Sequence, residues 1–203
     1  MNKYSYYPGC SLEATAKPYE KSVRATAREL GLDLAEIEDW NCCGATAYMS
    51  YDQIKAFAIS SRNLALVKRN AAMPQEVAVP CSACFANLLK TNHYLAEDEK
   101  LMASVNDALA AAHLSYDGSV KVRHLLDIYA TDVPAETLKS KIQKNLTMLK
   151  LAAYYGCQIV RPKNEFDHYD NPHKFEDYLK LLGAQVVDYP VKTCLLYTSD
   201  AAD

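Results

Sequence analysis

Cysteine positions constrain this chain of 203 residues more than any other feature of its sequence. Five of the seven cysteines fall in the first 84 residues, as a single cysteine, an adjacent pair and a Cys-x-x-Cys pair: Cys10, Cys42, Cys43, Cys81 and Cys84. Cys157 and Cys194 follow far downstream. An odd number of cysteines argues against a disulfide framework. Clustered thiols are typical of a metal-ligand set, because a metal site gathers its ligands from several loops.

Composition and charge exclude several classes of partner. Half of the residues are hydrophobic and the formal net charge is −3. That balance gives no basic footprint for a nucleic acid and no polybasic patch for an anionic membrane. No apolar run is long enough to span a bilayer, and the N-terminus lacks the apolar stretch of a signal peptide. We therefore expect a cytoplasmic protein with no nucleic-acid partner and no direct membrane insertion.

Hydrophobic patterning predicts an α/β fold with small, mainly parallel sheets flanked by helices. Strands are predicted over residues 4–7, 32–37, 76–79, 149–155 and 184–189. Helices are predicted over residues 18–30, 52–69 and 172–182, with another that begins at the Cys-x-x-Cys pair. Each cysteine group follows a strand or a turn. This places the cysteine loops at the strand ends, on the carboxyl edge where α/β sheets collect ligands.

The second half of the chain repeats the first half in outline. Gly156-Cys157 follows a predicted strand as Gly9-Cys10 does, and Cys194 follows the next predicted strand as Cys42 does. This indicates an internal duplication. We therefore predict a first cysteine-rich domain over residues 1–92, a helical connecting segment over 93–147 and an incomplete second domain over 148–194.

The adjacent cysteines limit the chemistry of the site. Cys42 and Cys43 point in different directions on an extended backbone. Both can ligate only where the site is larger than one ion or the backbone turns sharply, which Gly44 permits. A single zinc ion takes four ligands and would leave one of the five cysteines unused. The pattern favours a multinuclear iron–sulfur centre. A zinc site, redox-active thiols and buried structural cysteines stay open as alternatives.

Three stretches carry a resemblance to a known family: Tyr7-Pro8-Gly9-Cys10-Ser11, Glu38-Asp39-Trp40-Asn41-Cys42-Cys43-Gly44-Ala45 and Val79-Pro80-Cys81-Ser82-Ala83-Cys84. They resemble the CCG, or cysteine-rich, domain family and within it the B subunits of CoB–CoM heterodisulfide reductases. The resemblance runs from about residue 4 to residue 193. It implies two domains, each with a non-cubane [4Fe–4S] cluster. It further implies an oxidoreductase that reduces a disulfide to two thiols in successive one-electron steps. The disulfide is CoM-S-S-CoB in methanogenesis, or a bacterial counterpart.

Carried over residue by residue, the resemblance implies one set of cluster ligands, catalytic through the cluster: Cys10, Cys42, Cys43, Cys81 and Cys84. Cys157 and Cys194 match the first two positions of a second ligand set. After Cys194 the family has another cysteine and a glycine, where this chain has Leu195-Leu196, and the second Cys-x-x-Cys is absent. We therefore expect one cluster, a C-terminally truncated chain that is poorly active alone, and a non-native tail over residues 195–203.

The same resemblance implies partners and leaves two rival functions. The partners would be the ferredoxin-like iron–sulfur subunit of such reductases and their flavin-bearing subunit, with a small-molecule disulfide as the substrate. CCG domains also occur in electron-transfer subunits of dehydrogenases for glycolate, lactate or glycerol-3-phosphate. Those subunits often carry an N-terminal ferredoxin-like module, which does not precede Tyr4 here. The other rival is a zinc-stabilised domain without redox activity.

Overall fold

The computed structural model describes residues 2–45, 48–161 and 166–193. The chain divides into two compact units, Met1–His124 and Leu125–Asp203. The domain boundaries at residues 92 and 147 derive from the cysteine repeat, and they stay a prediction. Within the described ranges, no helix combines the length and the apolar character that crossing a bilayer requires.

The first unit contains ten of the described elements. In chain order they are β1 (Asn2–Tyr6), α1 (Cys10–Glu13), α2 (Lys17–Glu29), β2 (Leu32–Glu36), α3 (Tyr48–Tyr51), α4 (Gln53–Arg69), β3 (Glu76–Val79), α5 (Ser82–Glu97), α6 (Glu99–Ala110) and β4 (Lys121–His124). The described part of the second unit contains five. These are α7 (Leu125–Thr131), α8 (Ala135–Lys141), β5 (Lys150–Ala152), α9 (Lys174–Leu181) and β6 (Gln185–Val187).

The first unit is built on a four-stranded parallel sheet with the strand order β2-β1-β3-β4. The predicted α/β fold with small parallel sheets is confirmed. Strand β1 lies between β2 and β3, so the direction of the chain across the sheet reverses after β2. Because parallel crossovers are right-handed, this reversal places α2 and α4 on opposite faces of the sheet. A reversal of this kind is the topological switch point at which doubly wound sheets bind ligands.

Helix α4 forms much of the core. The Asp52 carboxylate caps it by accepting a hydrogen bond from the Lys55 N–H at 3.1 Å, as N-cap residues commonly do. Ile54, Phe57 and Leu64 recur at helical spacing and form one apolar face. Phe57 and Leu64 are buried, whereas Ile54 is 45% exposed. Ile54 lies in the first turn of α4, which is largely exposed. From its second turn onward, α4 is buried on more than one side.

Strand β4 lies in a segment whose pattern is mostly helical. Val122 is the single apolar residue among its four, so the segment gives no clear strand signal. It forms because β3 offers a parallel partner over its whole length, from Glu76 with Lys121 to Val79 with His124. Pairing with a distant strand therefore decides this element.

The second unit has a two-stranded parallel sheet formed by β5 and β6. The predicted start of its helix at residue 172 is wrong, because α9 begins at Lys174. The N–H groups of residues 173–176 donate instead to the carboxylate of Asp167 and the hydroxyl of Tyr155. Partners outside the helix thus satisfy the N–H groups that a helix start leaves unpaired.

We expect Leu64→Ala to lower the free energy of unfolding by about 2–5 kcal/mol, because it leaves a cavity at a fully buried position. Ile54→Ala on the same helix is the matched control and should cost less than about 1 kcal/mol. Urea unfolding followed by circular dichroism measures both. Equal losses in the two variants would contradict the packing described for α4.

Candidate functional site

The carboxyl ends of three neighbouring strands position the five cysteines of the first unit. Cys10 begins α1 just after β1, and Cys42 and Cys43 lie in the loop after β2. Cys81 follows β3 and is the N-cap residue of α5, with Cys84 in the first turn. Because the three strands are parallel, their carboxyl ends meet at one edge of the sheet, around the switch point at β1.

The structure brings these five cysteines together in one continuous cluster. The Sγ atoms of Cys10 and Cys42 lie 3.7 Å apart, and those of Cys43 and Cys84 lie 3.3 Å apart. Cys42 also interacts with Cys43, and Cys84 with Cys81, closely enough to shift the pKa values of Cys43 and Cys81. The adjacent cysteines therefore face different partners, Cys42 towards Cys10 and Cys43 towards Cys84. Their role as ligands stays a prediction.

The cluster has a buried end and an exposed end. Cys43 and Cys84 are buried and Cys81 is half-buried, whereas Cys10 and Cys42 are exposed. A small molecule can therefore approach the sulfur atoms from the side of Cys10 and Cys42. The buried thiols lie in the low-dielectric interior, where charge and hydrogen bonding have their largest effects.

Hydrogen bonding divides the protons unequally among the thiols. A hydrogen bond with the Cys84 side chain, aided by the backbone N–H groups of Cys84 and Ala83, lowers the pKa of Cys81 to about 6. A bond with Cys84 likewise lowers the pKa of Cys43 to about 7. The same bonds, together with burial, raise the pKa of Cys84 above its usual value. Cys81 and Cys43 thus ionise more readily than an ordinary cysteine, and the thiolate is the form that binds metal.

Gly9 allows the Cys10 loop to approach the cluster. Its φ is +78°, a left-handed conformation, and a Cβ atom there would lie 2.9 Å from Cys84 Sγ. Both features favour glycine over any other residue. The close packing of this loop against Cys84 therefore depends on the absence of a side chain.

Tyr7 and Trp40 form an aromatic pair beside the thiols. Tyr7 is fully buried, and its hydroxyl donates to the Asn41 carbonyl at 2.8 Å. Burial, together with the charge of the neighbouring cysteines, raises the pKa of Tyr7. The ring of Trp40 meets Tyr7 edge-on at 5.3 Å, and its Nε1 donates to Glu36 at 3.2 Å.

A cavity of about 520 Å³ opens beside Cys42. Its lining residues are Asp39, Trp40, Asn41, Cys42, Gly44, Tyr48, Ile59 and Arg62. The Arg62 guanidinium donates to the Asp39 carbonyl at 2.6 Å and pairs with the Asp39 carboxylate. It also donates to Asn41 Oδ1 at 3.0 Å. The volume is within the usual range of small-molecule pockets, and one wall carries an exposed thiol.

The predicted second ligand set is only partly within the described residues. Cys157 is half-buried in the turn that follows Gly156. The N–H groups of Tyr155 and Gly156 donate to the Lys192 carbonyl at 2.8 and 3.2 Å. Cys194 and the predicted tail over residues 195–203 lie outside the described residues. The ligand roles of Cys157 and Cys194 therefore stay predictions.

Sequence reasoning missed two asparagines that contact the cysteine loop. Asn63 Oδ1 accepts a hydrogen bond from the Asn41 N–H at 2.9 Å, and Asn87 Nδ2 donates to the Cys43 carbonyl. The only sequence signal was the presence of amide side chains on the buried faces of α4 and α5. A polar residue at such a position needs a hydrogen-bond partner, although the sequence does not show which one.

The donor set suits a soft metal centre. All five side chains are thiols, and soft thiolates select zinc, cuprous copper and iron–sulfur clusters. Among residues 2–45, 48–161 and 166–193, no three or more His, Cys, Asp or Glu side chains form a group that could hold a metal ion. The sulfur atoms extend as a contiguous cluster instead, and Gly9 leaves no Cβ between the loop and Cys84. The chemistry of the donor set, which is all sulfur, therefore fits a soft metal centre such as an iron–sulfur cluster or zinc.

Residues 4–89 match the CCG cysteine-rich domain family. Residues 4–89 are therefore similar to cysteine-rich domains of the CCG class. Within that class, the chain is related to the B subunits of heterodisulfide reductases, which confirms the resemblance that the cysteine motifs indicate.

Three relatives illustrate the range of the similarity. The chain is 38% identical over 191 residues to the 8-methylmenaquinol:fumarate reductase membrane anchor subunit of Wolinella succinogenes, covering 93% of this chain and 65% of the relative. It is 29% identical over 195 residues to the B subunit of the ferredoxin/F420H2-dependent CoB-CoM heterodisulfide reductase of Methanosarcina acetivorans, covering 95% and 64%. It is 28% identical over 195 residues to a protein of Archaeoglobus profundus that is itself described as like the heterodisulfide reductase B subunit, covering 93% and 64%. The chain thus spans less than two thirds of the length of these relatives.

The fold also has a counterpart among solved structures. A crystal structure of a hypothetical protein from Helicobacter pylori matches with a TM-score of 0.65 at 13% identity. The match covers 94% of this chain and 34% of that chain. At this level of identity the likeness shows the fold alone.

We expect Gly9→Ala to destabilise the protein more than Gly31→Ala. Both glycines have a positive φ, so each substitution carries a backbone strain of about 1 kcal/mol. Only Gly9 adds a contact with Cys84, because nothing lies within 4 Å of a Cβ atom at Gly31. Chemical unfolding of the two variants measures the difference. Equal stability of the two variants would contradict the close approach of the Gly9 loop to Cys84.

Proposed function

We propose that the cysteine cluster of the first unit holds an iron–sulfur cluster and that the chain acts as an electron-transfer subunit of a redox complex. The convergence of five thiols at one edge of the sheet carries this proposal. Hydrogen bonds that favour thiolates at Cys81 and Cys43 support it, because metal ligands must be deprotonated. The match of residues 4–89 to the CCG family supports it independently.

The residues of the chain divide the work at this site. When bound, an iron–sulfur cluster takes up and releases single electrons at a potential set by its ligands, its hydrogen bonds and its exposure. Cys43, Cys84 and Cys81 would hold it from the protein interior. Cys10 and Cys42 would hold it at the exposed edge, beside the cavity described above. The wall of that cavity would orient a substrate against this edge.

The particular reaction we propose is the reduction of a disulfide to two thiols. The reaction consumes two electrons and two protons, and it breaks one S–S bond. A flavin-bearing subunit would supply the electrons through a ferredoxin-like one, and solvent at the exposed edge would supply the protons. The similarity to the B subunits of the Methanosarcina heterodisulfide reductases supports this reaction. The substrate would be CoM-S-S-CoB or another small-molecule disulfide.

One observation favours a second candidate function. The identity to the fumarate reductase subunit of Wolinella succinogenes, 38%, is higher than the 29% to the Methanosarcina subunits. The same thiol cluster would then pass electrons within a menaquinol-dependent complex without cleaving a disulfide. The two candidates share the cluster and differ only in the molecule that exchanges electrons with it.

We expect anaerobically purified protein to contain about four irons and four sulfides per chain, as one [4Fe–4S] cluster requires. Cys42→Ser and Cys81→Ser should each lower both contents, because a hydroxyl is a poor replacement for a thiolate ligand. Metal analysis together with an acid-labile sulfide assay measures these contents. Ser82→Ala lies between Cys81 and Cys84 without removing a thiol, and it should retain the wild-type iron content.

Two results would contradict the cluster assignment. Unchanged iron and sulfide in both cysteine variants would place the cluster elsewhere. About one zinc per chain without sulfide would instead indicate a zinc-stabilised domain without redox activity.

We expect the reduced, iron-loaded protein to be reoxidised by CoM-S-S-CoB but not by menadione, a water-soluble naphthoquinone. Rapid anaerobic mixing followed by electron paramagnetic resonance measures the oxidation state of the cluster. Reoxidation by menadione alone would favour the quinol-dependent function over disulfide reduction. The Cys42→Ser variant is the control. Because it should bind less iron, neither CoM-S-S-CoB nor menadione should change its resonance spectrum.

A further inference from the structure

The loop that carries Cys42 and Cys43 forms its backbone hydrogen bonds mainly with side chains. Residues 40–45 are in neither a helix nor a strand. The Asn41 N–H donates to Asn63 Oδ1 at 2.9 Å, and the Asn41 carbonyl accepts from Tyr7. The Cys43 carbonyl accepts from Asn87 Nδ2. Backbone groups inside a protein need partners, and here two amides from distant parts of the chain supply them.

Both amides are buried, and the loop is their main partner. Asn63 is fully buried, and its Nδ2 has only long contacts of 3.4 and 3.5 Å to carbonyls of its own helix. Asn87 is 9% exposed, and its Nδ2 lies 3.5 Å from Ser60 Oγ. The Thr91 hydroxyl completes the network. It lies 2.8 Å from Ser60 Oγ and 2.8 Å from the backbone carbonyl oxygen of Asn87. A buried amide without a partner is costly, so these positions favour asparagine only while the loop is in place.

The two amides act on consecutive parts of the loop from two different helices. Asn63 on α4 fixes the backbone just before Cys42, and Asn87 on α5 fixes the backbone at Cys43. With the backbone fixed on both sides of Cys42, the two thiols are held towards different partners. The observed pairs, Cys42 with Cys10 and Cys43 with Cys84, are those that result.

We propose that Asn63 and Asn87 are positioning residues, whose buried amides hold the backbone of residues 41–43 so that Cys42 faces Cys10 while Cys43 faces Cys84. The proposal deepens the proposed function. It rests on that function for one consequence, which is that the amides set the geometry and the hydrogen bonding of the cluster ligands. Replacing groups that orient metal ligands commonly lowers metal affinity by about 10- to 100-fold.

The test compares Asn87→Leu with Asn92→Leu. Both residues lie on α5, and each donates from Nδ2 to a backbone carbonyl, that of Cys43 for Asn87 and that of Val120 for Asn92. Only the first bond reaches the cysteine loop. Both variants should lower the melting temperature. Asn87→Leu should in addition lower the iron content at least twofold or shift the midpoint potential and the resonance spectrum, whereas Asn92→Leu should leave both at wild-type values.

A second pair of variants keeps the proposal testable if Asn87→Leu does not fold. Asn63→Asp retains an oxygen at the position that accepts from the Asn41 N–H, whereas Asn63→Leu removes it. We expect the aspartate variant to keep the wild-type spectrum and the leucine variant to lose it. Loss of the spectrum in both, or in neither, would show that the hydrogen bond to the loop does not position the cysteines.

A readout without metal separates this proposal from the proposed function. In metal-free protein, mild oxidation by diamide should join Cys10 to Cys42, whose exposed sulfurs lie 3.7 Å apart. Peptide mapping then gives the share of this disulfide, which should fall at least twofold in Asn87→Leu and Asn63→Leu but not in Asn92→Leu. Equal shares in all variants would overturn the positioning role. Absence of iron and sulfide from the wild type would overturn the proposed function and leave this readout intact.

Discussion

The parallel pairing of β1 with a strand on each side is the constraint on which the rest of the first unit depends. Because β2 and β3 both run parallel to β1, the three segments that follow these strands start at one edge of the sheet. Each of those segments carries cysteines close to its start. A register or direction different from this one would separate the thiols, whatever the sequence of the loops.

Collecting thiols at this edge creates an electrostatic problem that the surrounding groups solve only in part. Ionised sulfurs in contact repel each other, and burial penalises the charged form of each. Hydrogen bonds with the Cys84 thiol favour thiolates at Cys81 and Cys43, aided by the N–H groups of Ala83 and Cys84 at Cys81 and by that of Ala45 at Cys43. A bound metal centre would add the positive charge that favours ionisation of the remaining thiols. The electrostatics of the apoprotein and the proposed cofactor are thus consistent.

Buried polar side chains link this charged edge to the hydrophobic core. Helices α4 and α5 pack mostly through apolar residues, yet each also turns an amide towards the cysteine loop. An apolar core could hold the helices without these amides. Their presence is explained by the loop, whose backbone has no strand or helix with which to pair. The hydrogen bonds thereby couple the stability of the core to the geometry of the site.

The sequence by itself determined the α/β class, the order of most elements and the five cysteines that cluster, because these follow from local periodicity and from the spacing of thiols after strands. Tertiary structure alone decided three other features. Strand β4 forms because β3 offers it a partner, and α9 begins at Lys174 because Asp167 and Tyr155 satisfy its first N–H groups. The pairing of Asn63 and Asn87 with the loop joins residues more than twenty positions apart. Contacts of this kind depend on how distant segments pack, and no local pattern in a single sequence specifies them.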